Sequence, residues 1–396
     1  MKNTYNNLKE YFISLLFSLF LFFWPINVGI YQFRHFILLL IFFLVFDLNR
    51  EIFKKYLFYF FLTLIILIHS VISMNDLNSN FAYKVLSLTV LFNLFIIFDY
   101  FKKFFFNNLD KIFLLYLIIF FCFLIYFSTS YDNYLFQLSN KCVGCFSKLK
   151  VFYRENSHFG LLAPTIIYYL LYISKINKFF KFSFLIIFVS ICILNLSITF
   201  VAGIILMLFF VIIFKVQSVL SFKFLLASLL ILITIMANKN LNKEKIFDFF
   251  AENNKINFRT NVSTEVYEVS LFIAKKTILE NPLGYGFNNY KKAHYEYINQ
   301  YDAHNNVTKQ LNKEDGSITF SKIVTEFGIF SIIIFYFIFS FAFNGNVDKK
   351  TKVLLLLPLI TQLFIRGVGY FNGGFILFLF FIIFMSLEKK NKKKIL

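Results

Sequence analysis

Charged residues are scarce in this chain. Only 15% of its 396 residues are Asp, Glu, Lys or Arg, against roughly 25% in a water-soluble domain, and that deficit nearly excludes a soluble enzyme. Acidic residues are the rarer kind, 21 against 40 basic. Proline and cysteine each occur four times. Four cysteines make no disulfide framework. Cys122 and Cys192 fall inside apolar runs as packing residues, while Cys142 and Cys145 form a lone CxxC in a polar stretch, a weak sign of metal or redox chemistry that leaves a local disulfide open. GxxxxGK[ST], HExxH and GxSxG are missing. Acidic residues inside apolar runs, which many proton-coupled transporters need, are scarce, and Asp47 and Asp99 sit at run ends.

Apolar bulk fills the space that charge leaves. The chain is 59% hydrophobic and holds 63 Phe, which excludes a disordered protein. These residues gather in runs of membrane-spanning length. We read twelve helical spans, near 11–30, 33–46, 56–73, 82–99, 112–128, 157–174, 183–197, 199–214, 221–237, 317–342, 352–367 and 371–387. Open strands cannot cross lipid, because unpaired backbone groups cost several kcal/mol there, and the runs are too long and too uniformly apolar for barrel strands. Residues 11–30 are followed at once by further runs, so they do not read as a cleavable signal peptide. The expected fold class is all-α: a polytopic integral membrane protein with about twelve transmembrane helices.

Charge orients the spans. A net charge of +19 would suggest nucleic acid in a soluble protein, but here the excess lies in short loops, so no nucleic-acid partner is expected. One alternating set of loops is Lys-rich: Arg50, Lys54 and Lys55; Lys102, Lys103 and Lys111; Lys175, Lys178 and Lys181; Lys215 and Lys223; Lys349, Lys350 and Lys352. The tail at 389–396 adds five more Lys. The positive-inside rule puts this set, and both termini, in the cytoplasm of a multi-pass protein. These loops are too short for a nucleotide-binding domain. The other set includes two longer outward segments, 129–156 and 238–316. The second divides spans 1–9 (residues 1–237) from spans 10–12 (residues 317–388). It carries 11 basic and 10 acidic residues, with apolar residues at helical spacing and the turn Asn281-Pro282-Leu283-Gly284-Tyr285-Gly286. A loop of that length is commonly functional, and a small helical cap is expected.

Arginine is rarer than lysine, five to 35, yet four of the five fall on the outward side: Arg34, Arg154, Arg259 and Arg366. That opposes the positive-inside trend. A guanidinium stays charged and offers a planar fork to phosphate oxygens, so the set points to a lipid pyrophosphate at the outer surface. The alternative for each is a snorkelling side chain or a local ion pair, such as Arg154 with Glu155. All five His also map outward: His35, His69, His158, His294 and His304. The first three lie near helix ends and read as interfacial or packing residues. His294 and His304 lie in the large loop, where either would serve as a base near neutral pH or sit as a solvated loop residue. Glycosyl transfer needs a deprotonated acceptor hydroxyl and a stabilised leaving pyrophosphate. One His and two Arg suffice for that, with no metal and no cofactor.

Three stretches carry a resemblance. Leu196-Ser197-Ile198-Thr199-Phe200-Val201-Ala202-Gly203 is a Ser/Thr-rich span start. Arg259 precedes a helix-like stretch leading to the Pro282-Leu283-Gly284-Tyr285-Gly286 turn. Ser317 to Gly328 ends in Glu326-Phe327-Gly328, at the opening of span ten. In their order, and in the architecture of about twelve spans with a large loop before the last three, they resemble the O-antigen polymerase and O-antigen ligase superfamily over the whole chain. The resemblance implies transfer of glycan from an undecaprenyl-pyrophosphate carrier on the periplasmic face of a bacterial inner membrane. Arg259 would take the large-loop Arg role, with Arg154 a partner. It also allows other glycan-assembly membrane proteins, such as a chain-length regulator, as partners. Ligases of the family usually carry His-Asn about eight residues before the Glu. Here Ser317-Ile318 holds that place, and His304-Asn305 lies some 22 residues upstream of Glu326. The reading therefore leans to a polymerase, with a ligase and a non-enzymatic lipid-glycan flippase as alternatives.

Overall fold

The computed structural model describes residues 10–19, 27–28, 31–32, 50–72, 88–89, 91, 104–129, 156–194, 197–216, 262–301, 308–370 and 374–387. The fold is all-α apart from a two-rung antiparallel ladder between β1 (Asn27–Val28) and β2 (Tyr31–Gln32). That ladder corrects one expectation. The helix expected over 11–30 does not hold at Asn27–Val28, which are extended and pair with Tyr31–Gln32.

The helices are α1 (Glu10–Leu19), α2 (Arg50–Ile72), α3 (Leu109–Thr129), α4 (Asn156–Tyr168), α5 (Lys178–Leu194), α6 (Ile198–Ile213), α7 (Val262–Glu280), α8 (Tyr290–Tyr297), α9 (Thr319–Phe327), α10 (Ser331–Phe343), α11 (Lys349–Phe364) and α12 (Phe375–Leu387). Among the described residues one continuous helix, Thr319–Phe343, is long and apolar enough to cross a membrane. It joins α9 to α10 through a 3-10 turn at Gly328–Phe330.

Local chemistry sets several helix starts. Ser197 is extended, and its Oγ accepts the Phe200 N–H at 3.2 Å, capping α6. Asp348 does the same for α11 through the N–H groups of Lys350 and Thr351. Each such cap contributes about 1 kcal/mol. The Ser/Thr-rich stretch at 196–203 thus has a structural role. Its last residue, Gly203, faces Pro164 of α4, and a Cβ there would sit 2.6 Å from the proline ring. Small residues let two apolar helices approach closely.

Helix α11 is the central post. It is apolar on all sides, and Val353–Leu359 and Thr361–Leu363 are buried, as expected of a helix without a polar face. Helices α4, α6, α10 and α12 pack around it. The outer faces are apolar as well. Phe58, Phe60, Phe61 and Ile65 of α2 are exposed, as are Phe209 and Ile212 of α6 and Ile332, Tyr336 and Phe339 of α10. Cys192 is buried, but Cys122 is exposed, so it is not the packing residue expected. Cys142 and Cys145 lie outside the described residues.

Two polar ends close the bundle. At one, Lys111 pairs with Glu10 at 2.6 Å, Asp110 accepts bonds from the Tyr169 hydroxyl and the Lys175 N–H, and the Tyr168 hydroxyl donates to the Lys350 carbonyl. Lys352 donates to Ala342, and Asn344 to Met385. At the other end lie His69, Ser70 and residues 281–290, 314–328 and 366–370.

Candidate functional site

The second end is built on a buried carboxylate. Glu326 lies on α9 and is wholly enclosed. Its Oε2 accepts the Asn288 N–H at 2.8 Å and the Tyr370 hydroxyl at 2.7 Å, and its Oε1 accepts the Tyr290 N–H at 3.1 Å. Lys322, one turn earlier and also buried, sits 3.8 Å from Oε1. Its Nζ donates to Asp315 at 2.5 Å and to the Glu314 carbonyl at 3.1 Å, and it lies over the Tyr370 ring. A buried carboxylate persists only when hydrogen bonds and an opposite charge replace water, and here both are supplied. Burial and the Glu326 charge push the Tyr370 hydroxyl well above its ordinary pKa, so it stays a donor.

The turn after α7 docks on the same residues. Tyr285 N–H donates to the Thr325 carbonyl and Gly286 N–H to the Glu326 carbonyl, at 3.0 and 2.8 Å. Ile329 N–H returns a bond to the Pro282 carbonyl at 2.9 Å. Gly284 has φ +80°, and a Cβ there would meet the Glu326 carbonyl at 2.6 Å, so only glycine fits. The Pro282–Gly286 turn and the Glu326-Phe327-Gly328 stretch, forty residues apart in sequence, therefore form one joint. The C-terminal end of α2 completes it. His69 Nε2 lies 2.9 Å from the Leu283 carbonyl, which can only accept, so Nε2 carries the proton. Ser70 Oγ accepts the Phe287 N–H, and the His69 ring stacks on Phe327.

Of the expected site residues, Arg366 and His294 are described. Arg366 is half-buried just past α11, where Gly367 N–H donates to the Ser317 carbonyl at 2.8 Å. Its neighbour thus meets the start of the Ser317–Gly328 stretch, at the opposite end of α9 from the Gly328 turn. His294 lies on α8 with only 2% of its surface exposed, between Tyr290 and Tyr295, and neither ring nitrogen has a hydrogen-bond partner. Burial, and then the Lys313 charge, lower its pKa from 6.5 to about 4. Arg34, Arg154, Arg259 and His304 lie outside the described residues. The residues flanking 302–307 are both held by α7, because the Tyr301 hydroxyl donates to Glu268 and Thr308 Oγ1 to buried Glu265.

The His294 shift sets a pH dependence. The folded loop resists protonating this ring, whereas the opened loop takes a proton below about pH 6.5. Loop stability is therefore full above that pH and falls by about 3 kcal/mol as pH drops to 4. Limited proteolysis of the loop across this range should show the loss, and His294→Phe should flatten it.

The sequence reading took Glu326 only as part of the Ser317–Gly328 stretch, gave Lys322 no role and did not name Tyr370. The signal was present: Lys322 and Glu326 form an i,i+4 pair inside a run otherwise read as span ten, where an ionisable pair marks a polar contact. No family model, curated protein or solved structure matches the chain.

Proposed function

We propose that the protein is a membrane glycosyltransferase that polymerises undecaprenyl-pyrophosphate-linked oligosaccharide repeats on the periplasmic face of a bacterial inner membrane. The observation that carries this reading is the joint itself. Two of the three stretches behind the family resemblance dock directly on each other, and Gly367, next to Arg366, bonds the first residue of one of them.

The twelve-span topology has its own support. Glu10 and the described loops at Asp110–Lys111, Lys175 and Lys350, all assigned to the cytoplasmic side, meet at one end of the bundle, and the outward segments at 69–70, 281–290, 317–328 and 366–370 meet at the opposite end. Phenylalanine and isoleucine on the outer faces of α2, α6 and α10 form surfaces that water disfavours and lipid accepts.

In the proposed reaction the acceptor hydroxyl attacks the anomeric carbon and the carrier pyrophosphate leaves. Arg154, Arg259, Arg366 and Arg34 hold the pyrophosphate, and their fixed charge stabilises it as it departs. His304 or His294 takes the hydroxyl proton. Glu265 and Glu268 support His304 in that role by holding both flanks of its segment to α7, the helix that Arg259 precedes by three residues. His294 is neutral, as a base must be, but enclosed.

A strain lacking the gene tests this. Single repeats attached to the lipid core are the expected product. Unattached polymer would make the protein a ligase, and repeats trapped on the cytoplasmic face would make it a flippase.

A further inference from the structure

Lysines gather at the end of the bundle that the membrane reading assigns to the cytoplasm. Three connections far apart in sequence deliver them. The turn after α4 and the first turn of α5 bring Lys175, Lys178 and Lys181, the residues just past α6 bring Lys215, and the start of α11 brings Lys349, Lys350 and Lys352. Contacts show that these connections meet. The Tyr168 hydroxyl donates to the Lys350 carbonyl at 3.1 Å. Lys352 Nζ lies 5.7 Å from the centre of the Phe214 ring, next to Lys215. Lys181 Nζ donates to the Leu171 and Ser174 carbonyls at 3.3 and 3.5 Å. Burial, and then the Lys350 charge, lower the Lys181 pKa.

Acid does not offset this charge. Asp110 accepts the Tyr169 hydroxyl and the Lys175 backbone N–H. Asp348 caps α11 through the N–H groups of Lys350 and Thr351. Both carboxylates are thus spent on groups other than ammonium, and among the described residues none of these lysines forms an ion pair. The positive-inside rule asks for basic residues in each cytoplasmic loop. It does not ask the loops to converge on one patch, where like charges repel. A bound anion removes that repulsion. The surroundings fit a lipid better than a free anion. Phe179 and Phe180, between Lys178 and Lys181, are 74% and 55% exposed. Ammonium groups and bare phenyl rings at one level match a phospholipid, whose phosphate meets the first and whose acyl chains meet the second.

We propose that this basic end binds the phosphate of an anionic phospholipid of the cytoplasmic leaflet, between Lys181 and Lys350, with Lys175 and Lys178 at the edge of the site. This rests on the membrane reading but not on glycosyl transfer. The bound lipid ties the turn after α4 to the start of α11.

Lipid titration tests the proposal. The full-length protein in neutral detergent is titrated with phosphatidylglycerol or with phosphatidylcholine, and bound lipid is counted by native mass spectrometry. Wild type should take up phosphatidylglycerol at the lower concentration. A lysine near an anionic head group is worth about fivefold in affinity, so Lys181→Gln/Lys350→Gln should weaken that uptake roughly 25-fold. Lys181→Arg/Lys350→Arg keeps both charges and should preserve it. Lys175→Gln/Lys178→Gln changes two exposed residues and should weaken it by at least about fivefold. Lys275→Gln/Lys292→Gln, in the outward loop, should leave it unchanged. Equal uptake of the two lipids by wild type, no weakening by either cytoplasmic pair, or equal weakening by the outward pair overturns the proposal. Inorganic phosphate that displaces phosphatidylglycerol at comparable concentration overturns the lipid assignment and leaves a free-anion site. Protein that stays monodisperse without detergent and binds neither lipid overturns the membrane reading as well.

Discussion

Replacing Glu326 with Ala releases the large loop from the bundle. The substitution strands the N–H groups of Asn288 and Tyr290 and the Tyr370 hydroxyl, and it leaves Lys322 with Asp315 as its remaining acidic partner. Each stranded buried group costs about 1–3 kcal/mol, and breaking a buried charge pair costs about 3–5 kcal/mol. The terms overlap, so a loss of roughly 4 kcal/mol in loop docking is expected. Glu326→Gln keeps one acceptor oxygen and should cost about half as much. Limited proteolysis within 281–316 in lipid nanodiscs reads the effect, as faster cleavage in the order Ala, Gln, wild type. Tyr370→Phe should be strongly non-additive with Glu326→Ala, because both remove the same bond. Equal cleavage of wild type and Glu326→Ala would show that the carboxylate does not hold the joint.

Arg259→Ala is expected to abolish polymer while leaving the protein in the membrane. Removing one donor that stabilises a developing anion costs roughly 10²–10³ in rate. Arg259→Lys keeps the charge but loses the two-pronged match to phosphate oxygens, so a reduction of at least about tenfold remains, equivalent to 1.4 kcal/mol. Surface glycan from a complemented deletion strain shows the difference as a ladder shortened by Lys and erased by Ala. A wild-type ladder from stably inserted Arg259→Ala protein would remove this residue from the mechanism.

The helical class was legible because it depends on composition and run length, which tertiary contacts do not override. The turn at 281–286 was legible from Pro282, Gly284 and Gly286, residues defined by what their backbone can adopt. What the turn docks on was not. Nothing in a linear pattern says that the Glu326 carboxylate accepts the N–H groups of Asn288 and Tyr290, since that pairing exists only once α7 and α9 lie side by side. Lys322 was hidden differently. A lysine in an apolar run reads as a span edge until Asp315 and Glu326 are seen on either side of it. The expected span ten, 317–342, corresponds to the continuous helix Thr319–Phe343, but its internal break did not show in the hydropathy. Hydropathy merges α9 into α10, whereas the positive φ of Gly328 and the polar side chains of α9 separate them.

The most direct test is a purified reaction. Wild-type protein in lipid nanodiscs receives undecaprenyl-pyrophosphate-linked repeats as sole donor and acceptor, and glycan size and free undecaprenyl pyrophosphate are followed together. The expected result is a ladder of lengthening glycans, with one undecaprenyl pyrophosphate released for each repeat joined and neither product from Arg259→Ala. Repeats that stay single while the carrier remains fully loaded, in protein whose loop is folded, would contradict the proposed function.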